Sequence, residues 1–311
     1  VILTNFIGQV LWRHKRMTSE QETQLDLLQI AENIIDEALH YGKQLDLRPL
    51  GIGVGVPGLV DSHQGKLVFA PNLHWVDVPL RQIWTKRFDL PVFVENEANC
   101  ACMGEYFYGT AHTVKDFLFL KTGVGLGGGV MIDGKLFRGS SGFAGEIGHI
   151  TIYDSDVVCA CGRKGCLETF VRPSSLLTGV AARLKNGEKS LLHEIVGPDL
   201  TQLKIEHIAE AARQQDALAI SAIEAIGVHF GIGITNLVNI FNPELVVFGG
   251  TLVPLHPWIV PAIAAALQKN VLPPLRTSTR VEPSAHGDDA CLLGAVALVM
   301  DDILREPLNI P

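Results

Sequence analysis

The chain has 311 residues, of which 47% are hydrophobic and 19% charged, and this length and composition support a packed core in more than one lobe. A formal net charge of −8, with no stripe of Lys or Arg, excludes a chain that grips DNA by its own surface. No uninterrupted apolar run of about 18 residues occurs, so we expect no membrane-spanning segment and no membrane partner.

The hydrophobic pattern alternates between strands and helices along the whole chain, as judged by periods of two and of 3.6 residues. In the first half of the chain it predicts a hairpin over 1–13 with its turn at Gly8, a helix over 22–42, a strand over 51–61 that runs into a Pro-Gly turn, a strand over 91–99 and a helix to about Tyr108. Strands joined by glycine and Asp-Gly turns follow over 116–139. The rest of the chain is predicted as a helix-rich stretch over 168–240, a strand over 243–250, and helices over 256–269 and 289–305. This alternation is typical of an α/β architecture.

Polar or glycine-rich segments follow several of the predicted strands. In open α/β sheets, ligands bind at the carboxyl ends of the strands. One glycine-rich strand end is only a turn, but several together predict one ligand-binding cleft. The four segments are Pro57-Gly58, Glu95-Asn96, Thr122 to Gly129, and Gly249-Gly250.

Three cysteines lie close together in CACGRKGCLETF, residues 159–170. Cys159, Cys161 and Cys166 have the spacing C-x-C-x4-C, and zinc takes four N or S ligands. His149, in GEIGHI, is the natural fourth ligand. A redox dithiol would be expected as C-x-x-C, and simple packing suits an apolar segment better than this one. Clustered cysteines are not typical of a secreted disulfide framework, so we expect a cytoplasmic protein.

The pattern C-x-C-G-x-x-G-C-x-E, preceded by G-E-I-G-H, resembles a signature of the ROK family (repressor, open reading frame, kinase). The stretch TGVGLGGGVMIDGKLFRGSSGFAGEIGH is similar to the other signature of that family, and VGVPGLVD, APNLHW, VENEAN, NPELVVFGG and LLGAVALV occur in family order. The resemblance covers nearly the whole chain. It implies an actin-like, hexokinase-like (ribonuclease H-like) fold with a sugar-binding cleft between two lobes. We expect an N-terminal lobe of 1–112 with the C-terminal helix 289–311, and a second lobe of 113–288 that carries the zinc loop.

The resemblance also implies which residues contact the sugar: Asn96, Glu97, Glu146, His149 and Glu168. Carboxylates and amides pair well with hydroxyl groups, each of which both donates and accepts. Zinc would hold one ring nitrogen of His149 and leave the other to a sugar hydroxyl, so the metal would shape the pocket without entering the chemistry.

Family members are either sugar kinases or sugar-responsive repressors, and three features separate the two here. Kinases of the family carry an Asp base after the Asn of VEN, whereas this chain has Glu97, and a misplacement of about 1 Å can cost roughly 100-fold in rate. Kinases also open with a strand and a D-x-G-x-T phosphate loop, which this sequence, starting at VILTNF, does not include; that segment has either been removed or lies upstream of Val1. Finally, NLHWVDVPL at 72–80 and the ending DDILREPLNIP resemble the repressor branch.

We therefore expect the sugar-sensing region of a homo-oligomeric regulator, a dimer or tetramer, that contacts DNA only through an N-terminal domain absent from this chain. The sugar would favour one angle between the lobes and so set the spacing of the two DNA-binding domains in the oligomer. One alternative is an ATP- and Mg²⁺-dependent sugar kinase with Glu97 as the base, and another is a sugar-binding protein with neither activity. In a kinase the nucleotide would be held by Thr122, Gly123, Gly125, Gly127, Gly249 and Gly250.

The remaining chemistry-bearing residues fit structural roles. Cys100 and Cys102 follow VENEAN on a predicted helix and Cys291 lies in the apolar terminal helix, so we expect all three in the core. His74 and Trp75 either border the sugar pocket, since aromatic rings stack on sugars, or belong to the core.

Overall fold

The computed structural model describes residues 1–19 and 21–305, apart from the side chain of Asp288. The strands are β1 (Ile2–Thr4), β2 (Val10–Arg13), β3 (Ile52–Val56), β4 (Leu59–Asp61), β5 (Lys66–Ala70), β6 (Trp75–Val78), β7 (Val92–Asn96), β8 (Phe117–Thr122), β9 (Leu126–Ile132), β10 (Lys135–Leu136), β11 (Leu245–Gly250) and β12 (Arg280–Pro283). The helices are α1 (Gln24–Gln44), α2 (Leu80–Phe88), α3 (Glu97–Tyr108), α4 (Leu167–Val171), α5 (Pro173–Lys185), α6 (Leu192–Val196), α7 (Ile205–Arg213), α8 (Ala217–Phe241), α9 (His256–Asn270) and α10 (Ala290–Arg305). The end of the predicted terminal helix, at 306–311, and with it the ending EPLNIP, lies outside the described residues.

The chain divides into two compact units. Unit 1 comprises Val1–Gly109, Arg138–Ala144 and the chain from Asp289 onward, and unit 2 comprises Thr110–Phe137 and Gly145–Asp288. Segment 138–144 groups with unit 1, whereas the lobe boundaries expected from the sequence place it in the second lobe.

Unit 1 contains the predicted N-terminal hairpin and a parallel pair of strands. β1 and β2 pair antiparallel around a turn in which Gly8 has φ +78°. β3 and β7 run parallel, and their register sets Val56 beside Asn96, so the two polar strand ends of this unit lie at one edge. α3 and α10 approach so closely that a Cβ at Gly104 or Gly294 would overlap the facing backbone. Glycine at these two positions therefore permits the helix contact.

The core of unit 1 accounts for several residues that the sequence left open. Trp75 is buried with Trp84 and Leu67, so it serves the core, while His74 is exposed in a left-handed conformation with φ +55°. The expected burial of Cys100 and Cys102 is confirmed. Cys291 is half-buried on α10.

Unit 2 is built on a five-stranded sheet with the order β10-β9-β8-β11-β12. β8, β11 and β12 run parallel, and β9 and β10 are added antiparallel by two hairpins. The second hairpin turns at Asp133-Gly134, where both residues have positive φ, as its sequence predicts. Phe119, Phe230 and Phe248 are fully buried on the sheet and on α8. The α/β architecture and the ribonuclease H-like sheet order confirm the predicted fold class.

By length and composition, α8 could cross a membrane, since its most apolar 18-residue window has a mean hydropathy of 1.8. Half of that window is buried inside the protein, and a core helix passes the same test. The burial of Ile223, Phe230 and Ile234 gives α8 the place of a core helix of unit 2.

Some elements differ from the sequence-based prediction. The strand predicted over 91–99 ends at Asn96, because the Asn96 side chain caps α3 and the next residues are helical. The prediction did not contain β5, β6, α2 or β12. These are short elements rich in charged or exposed residues, so hydrophobic periodicity gives little signal for them.

Arg81, at the start of α2, ties three backbone segments of unit 1 together. Its guanidinium donates to the carbonyls of Ser62 (2.9 Å), His63 (2.6 Å) and Val92 (2.9 Å). We expect Arg81→Met to destabilise unit 1 by roughly 2 kcal/mol: hydrogen bonds to a charged group are worth about 1.5–3 kcal/mol each, and solvent exposure reduces the sum of these three. Thermal unfolding followed by circular dichroism measures the loss.

Arg87→Met is the matched control on the same helix. Arg87 forms an exposed ion pair with Asp36, and such pairs contribute about 0–1 kcal/mol. Equal melting temperatures for the two variants would contradict the role given to Arg81.

Candidate functional site

The cysteine stretch forms a small loop of unit 2 that starts at His149 and ends at Cys166. Two isolated bridges, Thr151 with Cys166 and Val158 with Lys164, bring its two sides together. The loop turns at Gly162 and Gly165, whose φ values of +84° and +74° are costly for other residues. A Cβ at Gly165 would also overlap the carbonyl oxygen of Tyr153, whereas one at Gly162 would meet nothing.

This loop brings together all four residues predicted to hold a metal. The ligand atoms of His149, Cys159, Cys161 and Cys166 lie within 4.8 Å of one another. The Sγ atoms of Cys161 and Cys166 are 3.7 Å apart, and Cys159 Sγ is 3.6 Å from His149 Nδ1. Around a tetrahedral zinc ion, bonds of about 2.3 Å to sulfur and 2.05 Å to nitrogen set these distances at about 3.8 and 3.6 Å. The donor set and its spacing therefore fit a tetrahedral metal ion.

The His149 ring is oriented so that its two nitrogens face different groups. Nδ1 faces Cys159 and is the nitrogen available to a metal, while Nε2 lies 3.8 Å from Glu146 Oε2. With a metal on Nδ1, the ring proton resides on Nε2, which then donates toward the side of Glu146.

Glu168 is buried beside the cluster and links it to the glycine turn that precedes β9. Its Oε1 accepts from the thiol of Cys159 (2.9 Å) and lies 3.9 Å from His149 Nδ1. Its Oε2 accepts from the backbone N–H of Leu126 (3.2 Å). A Cβ at Gly125 would overlap Oε2, so glycine there makes room for the carboxylate.

The three thiols differ in acidity. Burial raises the pKa of Cys161, but hydrogen bonds with the backbone N–H and guanidinium of Arg163 and with Cys159 and Cys166 together lower it to about 6. Burial raises the pKa of Cys159, and its bond to Glu168 raises it further; burial also raises the pKa of Cys166. The surroundings of exposed Cys161 thus favour its thiolate form more than those of the other two thiols. Arg163 was not predicted, and its place between two of the ligands is the signal that could have found it.

In unit 1, the side chain of Asn96 is largely committed to the protein itself. Its Oδ1 accepts from the backbone N–H groups of Ala98 (2.8 Å) and Asn99 (3.3 Å), and its Nδ2 donates to the carbonyl of Gly58 (2.8 Å). One amide N–H is left for a ligand. Glu97 follows as the first residue of α3.

The residues proposed from the resemblance to hold a nucleotide also have structural roles. The Thr122 hydroxyl donates to the carbonyl of Gly249 (2.9 Å) and accepts from the N–H of Leu252 (3.0 Å), so it joins the ends of β8 and β11. Gly250 has φ +84° and continues this junction. Gly123 and Gly125 lie in the turn between β8 and β9. Gly127 lies within β9, beside Lys121 in the register with β8.

Residues 1–302 match the sequence family described as the ROK family. The chain belongs to the ROK family. It is 36% identical over 307 residues to the xylose repressor of Caldicellulosiruptor bescii, a match that covers 99% of this chain and 76% of that protein. The repressor branch suggested by the sequence motifs is thus supported.

Solved structures from both branches of the ROK family resemble this chain. A ROK family transcriptional regulator, described as a homologue of the Escherichia coli MLC protein, matches with a TM-score of 0.85 and 29% identity over 96% of this chain and 74% of that one. A ROK family glucokinase from Streptomyces griseus, solved in complex with glucose and AMPPNP, matches with a TM-score of 0.83 and 29% identity over 96% and 94% of the two chains. The fold by itself does not separate the two branches.

The metal loop gives a direct test of the roles of its glycines. We expect Gly165→Ala to open the loop, because a Cβ there adds an overlap with Tyr153 to a left-handed strain of roughly 1–2 kcal/mol. Limited trypsin digestion reports the change, since Arg163 and Lys164 offer cleavage sites within the loop. Cleavage there should be several-fold faster than in the wild type.

Gly162→Ala is the matched control for this test. Gly162 has a similar φ, but its added Cβ has open space, so only the backbone strain is introduced. Equal cleavage rates in the two variants would show that the close approach at Gly165 does not hold the loop.

Proposed function

We propose that this chain is the sugar-sensing region of a ROK-type transcriptional regulator. The observation that carries the proposal is the group formed by Glu146, His149 and Glu168 in unit 2. His149 Nε2 lies 3.8 Å from Glu146 Oε2, and His149 Nδ1 lies 3.9 Å from Glu168 Oε1. The imidazole also belongs to the cluster that fits a metal ion. Carboxylates that accept and an imidazole N–H that donates are the groups that sugar hydroxyls require.

We assign zinc to the cluster. Three thiolates and one imidazole form a soft, tetrahedral donor set, which suits zinc better than the oxygen-preferring Mg²⁺ or Ca²⁺. With four protein ligands the site is closed, so the ion has a structural role. It fixes His149 and supplies no reacting group.

Zinc would also change what Glu168 can do. Cys159 donates its thiol proton to Glu168 Oε1. A metal-bound thiolate has no proton to donate. Glu168 Oε1 is then left with an acceptor position that a sugar hydroxyl can fill. The metal thus prepares the carboxylate for a ligand without touching that ligand.

In unit 1 we assign Asn96 and Glu97 to sugar binding. The remaining amide N–H of Asn96 supplies a donor, and Glu97 supplies an acceptor at the start of α3. Because its other polar groups hold the helix start and Gly58, the Asn96 amide is fixed in orientation before a ligand arrives, which lowers the entropy cost of binding.

The regulator is favoured over the kinase by similarity and by the residues themselves. The repressor relative is 36% identical over 307 residues, whereas a glucokinase of Halalkalibacterium halodurans is 30% identical over 298 residues. The base expected of a kinase is replaced by the longer Glu97, and the hydroxyl of Thr122 is already bonded on both sides within the protein.

The second candidate is an ATP-dependent sugar kinase. It is favoured by the fold, since the glucokinase bound to glucose and AMPPNP matches with a TM-score of 0.83. In that case Glu97 would be the general base, ATP and Mg²⁺ would be required, and the glycine turns after β8 and β11 would hold phosphates.

We place the regulator in the cytoplasm as a homo-oligomer. The net charge of −8 disfavours contact with DNA phosphates, so we assign DNA binding to a part of the regulator other than this acidic region. The sugar regulates only through its different affinity for the DNA-binding and non-binding states.

The joint role of His149 is testable by substitution. We expect His149→Ala to lower both zinc content, from about one ion per chain, and sugar affinity by about tenfold or more, because a ligand and a hydrogen-bond donor are lost together. Elemental analysis of protein purified without added metal and calorimetric titration with the sugar measure the two effects. His193→Ala is the control, since His193 is an exposed histidine of the same unit. A loss of zinc without a loss of sugar affinity would contradict the joint role.

The proposed function is tested by titrating the chain with D-xylose, D-glucose and N-acetylglucosamine, and by incubating it with each sugar and Mg-ATP. We expect one sugar to bind and no phosphorylated sugar to form. Glu168→Gln should abolish that binding, while the isosteric Glu188→Gln, at an exposed ion pair of unit 2, should leave it unchanged. Turnover on the order of 1 s⁻¹ or faster would favour the kinase instead.

A further inference from the structure

A buried carboxylate at the end of β7 collects three N–H donors. Glu95 is 1% exposed. Its Oε1 accepts from the backbone N–H of Asn96 (2.9 Å) and from Asn99 Nδ2 (3.1 Å), and its Oε2 accepts from Arg138 Nε (2.8 Å). The carboxylate therefore joins the residue that caps α3, the first turn of that helix and a distant arginine.

Arg138 begins the segment 138–144, which groups with unit 1 although the chain on both sides of it belongs to unit 2. The segment folds back on itself through a bond from Ala144 N–H to the Arg138 carbonyl (3.0 Å), with positive φ at Gly139 and Gly142. The ion pair with Glu95 anchors this turn to unit 1.

In this cluster Asn99 forms a side-chain hydrogen bond through its amide group. Asn99 is 4% exposed, and its Oδ1 has no hydrogen-bond partner among the described residues. Its amide group is instead aimed at Glu95. The Asn99 side chain is therefore oriented toward the Glu95 carboxylate.

We propose that Arg138 is a positioning residue for sugar binding: through Glu95 it holds Asn96 and the start of α3 in the orientation that binds the ligand. The inference rests on the proposed function, in which Asn96 and Glu97 contact the sugar.

Loss of the arginine has two consequences that can be separated. Arg138→Met leaves Glu95 buried without its cation, which destabilises the fold, and it also releases segment 138–144. In the double variant Glu95→Gln, Arg138→Met, no charge remains buried, so stability should recover toward that of the wild type. The anchor is still missing in that variant, so sugar affinity should stay reduced.

The test compares these variants with Arg81→Met, which breaks an arginine contact at the opposite end of β7, to the Val92 carbonyl. Sugar affinity is measured by calorimetry, and hydrogen exchange by mass spectrometry is followed in peptides covering 96–99. We expect about tenfold weaker sugar binding and faster exchange at 96–99 in Arg138→Met and in the double variant. Arg138→Lys, which keeps a cation for Glu95, should restore part of both, and Arg81→Met should change neither.

Sugar affinity that recovers together with stability in the double variant would overturn the inference, because the effect would then be structural only. Unchanged exchange at 96–99 in Arg138→Met would overturn it as well. If the wild type binds none of the sugars, the proposed function fails; faster exchange at 96–99 in Arg138→Met alone would still support the positioning of Asn96 by the ion pair.

Discussion

The convergence of three thiols and one imidazole at a single point is the constraint on which the site in unit 2 depends. The loop from His149 to Cys166 is shaped by two isolated bridges, two left-handed glycines and backbone hydrogen bonds such as that from Cys159 N–H to the Arg163 carbonyl (2.8 Å). Two of its thiols are buried, and burial raises their pKa. A metal that replaces their protons removes this conflict and fixes the loop. In the proposed function, what His149 and Glu168 offer to a ligand depends on that fixation.

Hydrogen bonds connect the metal loop to the sheet of unit 2. Glu168 bonds to Cys159 on one side and to the N–H of Leu126, the first residue of β9, on the other. β9 pairs with β8, whose last residue, Thr122, bonds to Gly249 of β11 and to Leu252 in the turn after it. The glycine turns at the carboxyl ends of these strands are therefore held by the same polar network as the loop. A network in which each polar group is satisfied is rigid, and this rigidity suits a site that recognises a ligand by fixed hydroxyl positions.

The sequence predicted the parts of the site that depend on local spacing. The structure brings together the four predicted metal-ligand residues, which the sequence indicated because three cysteines within eight residues follow shortly after a histidine; Glu168, beside them, was predicted from the family resemblance. The roles that depend on distant contacts were not found. The pairing of Glu95 with Arg138 joins residues 43 positions apart, and the contacts of Thr122 with Gly249 and Leu252 span more than a hundred. No periodicity marks such pairs. The strand predicted over 91–99 is too long for a local reason. Asn is a strong helix cap as well as a frequent ligand contact, and Asn96 caps α3, so the strand ends there.

The fold does not distinguish a sensor from an enzyme, because a regulator and a kinase match it almost equally well. The distinction has to be made from the side chains. A kinase must stabilise a transition state more than its bound substrate, which requires a base and phosphate donors placed to within a fraction of an ångström. A sensor needs only different affinities for a sugar in two states. In this chain the hydroxyl of Thr122 and most of the amide of Asn96 are occupied by the protein itself, and the residue that follows Asn96 is a glutamate, Glu97. Side chains held in this way can recognise a ligand, but they leave few groups free for phosphoryl transfer, and on that ground the sensor is the better fit.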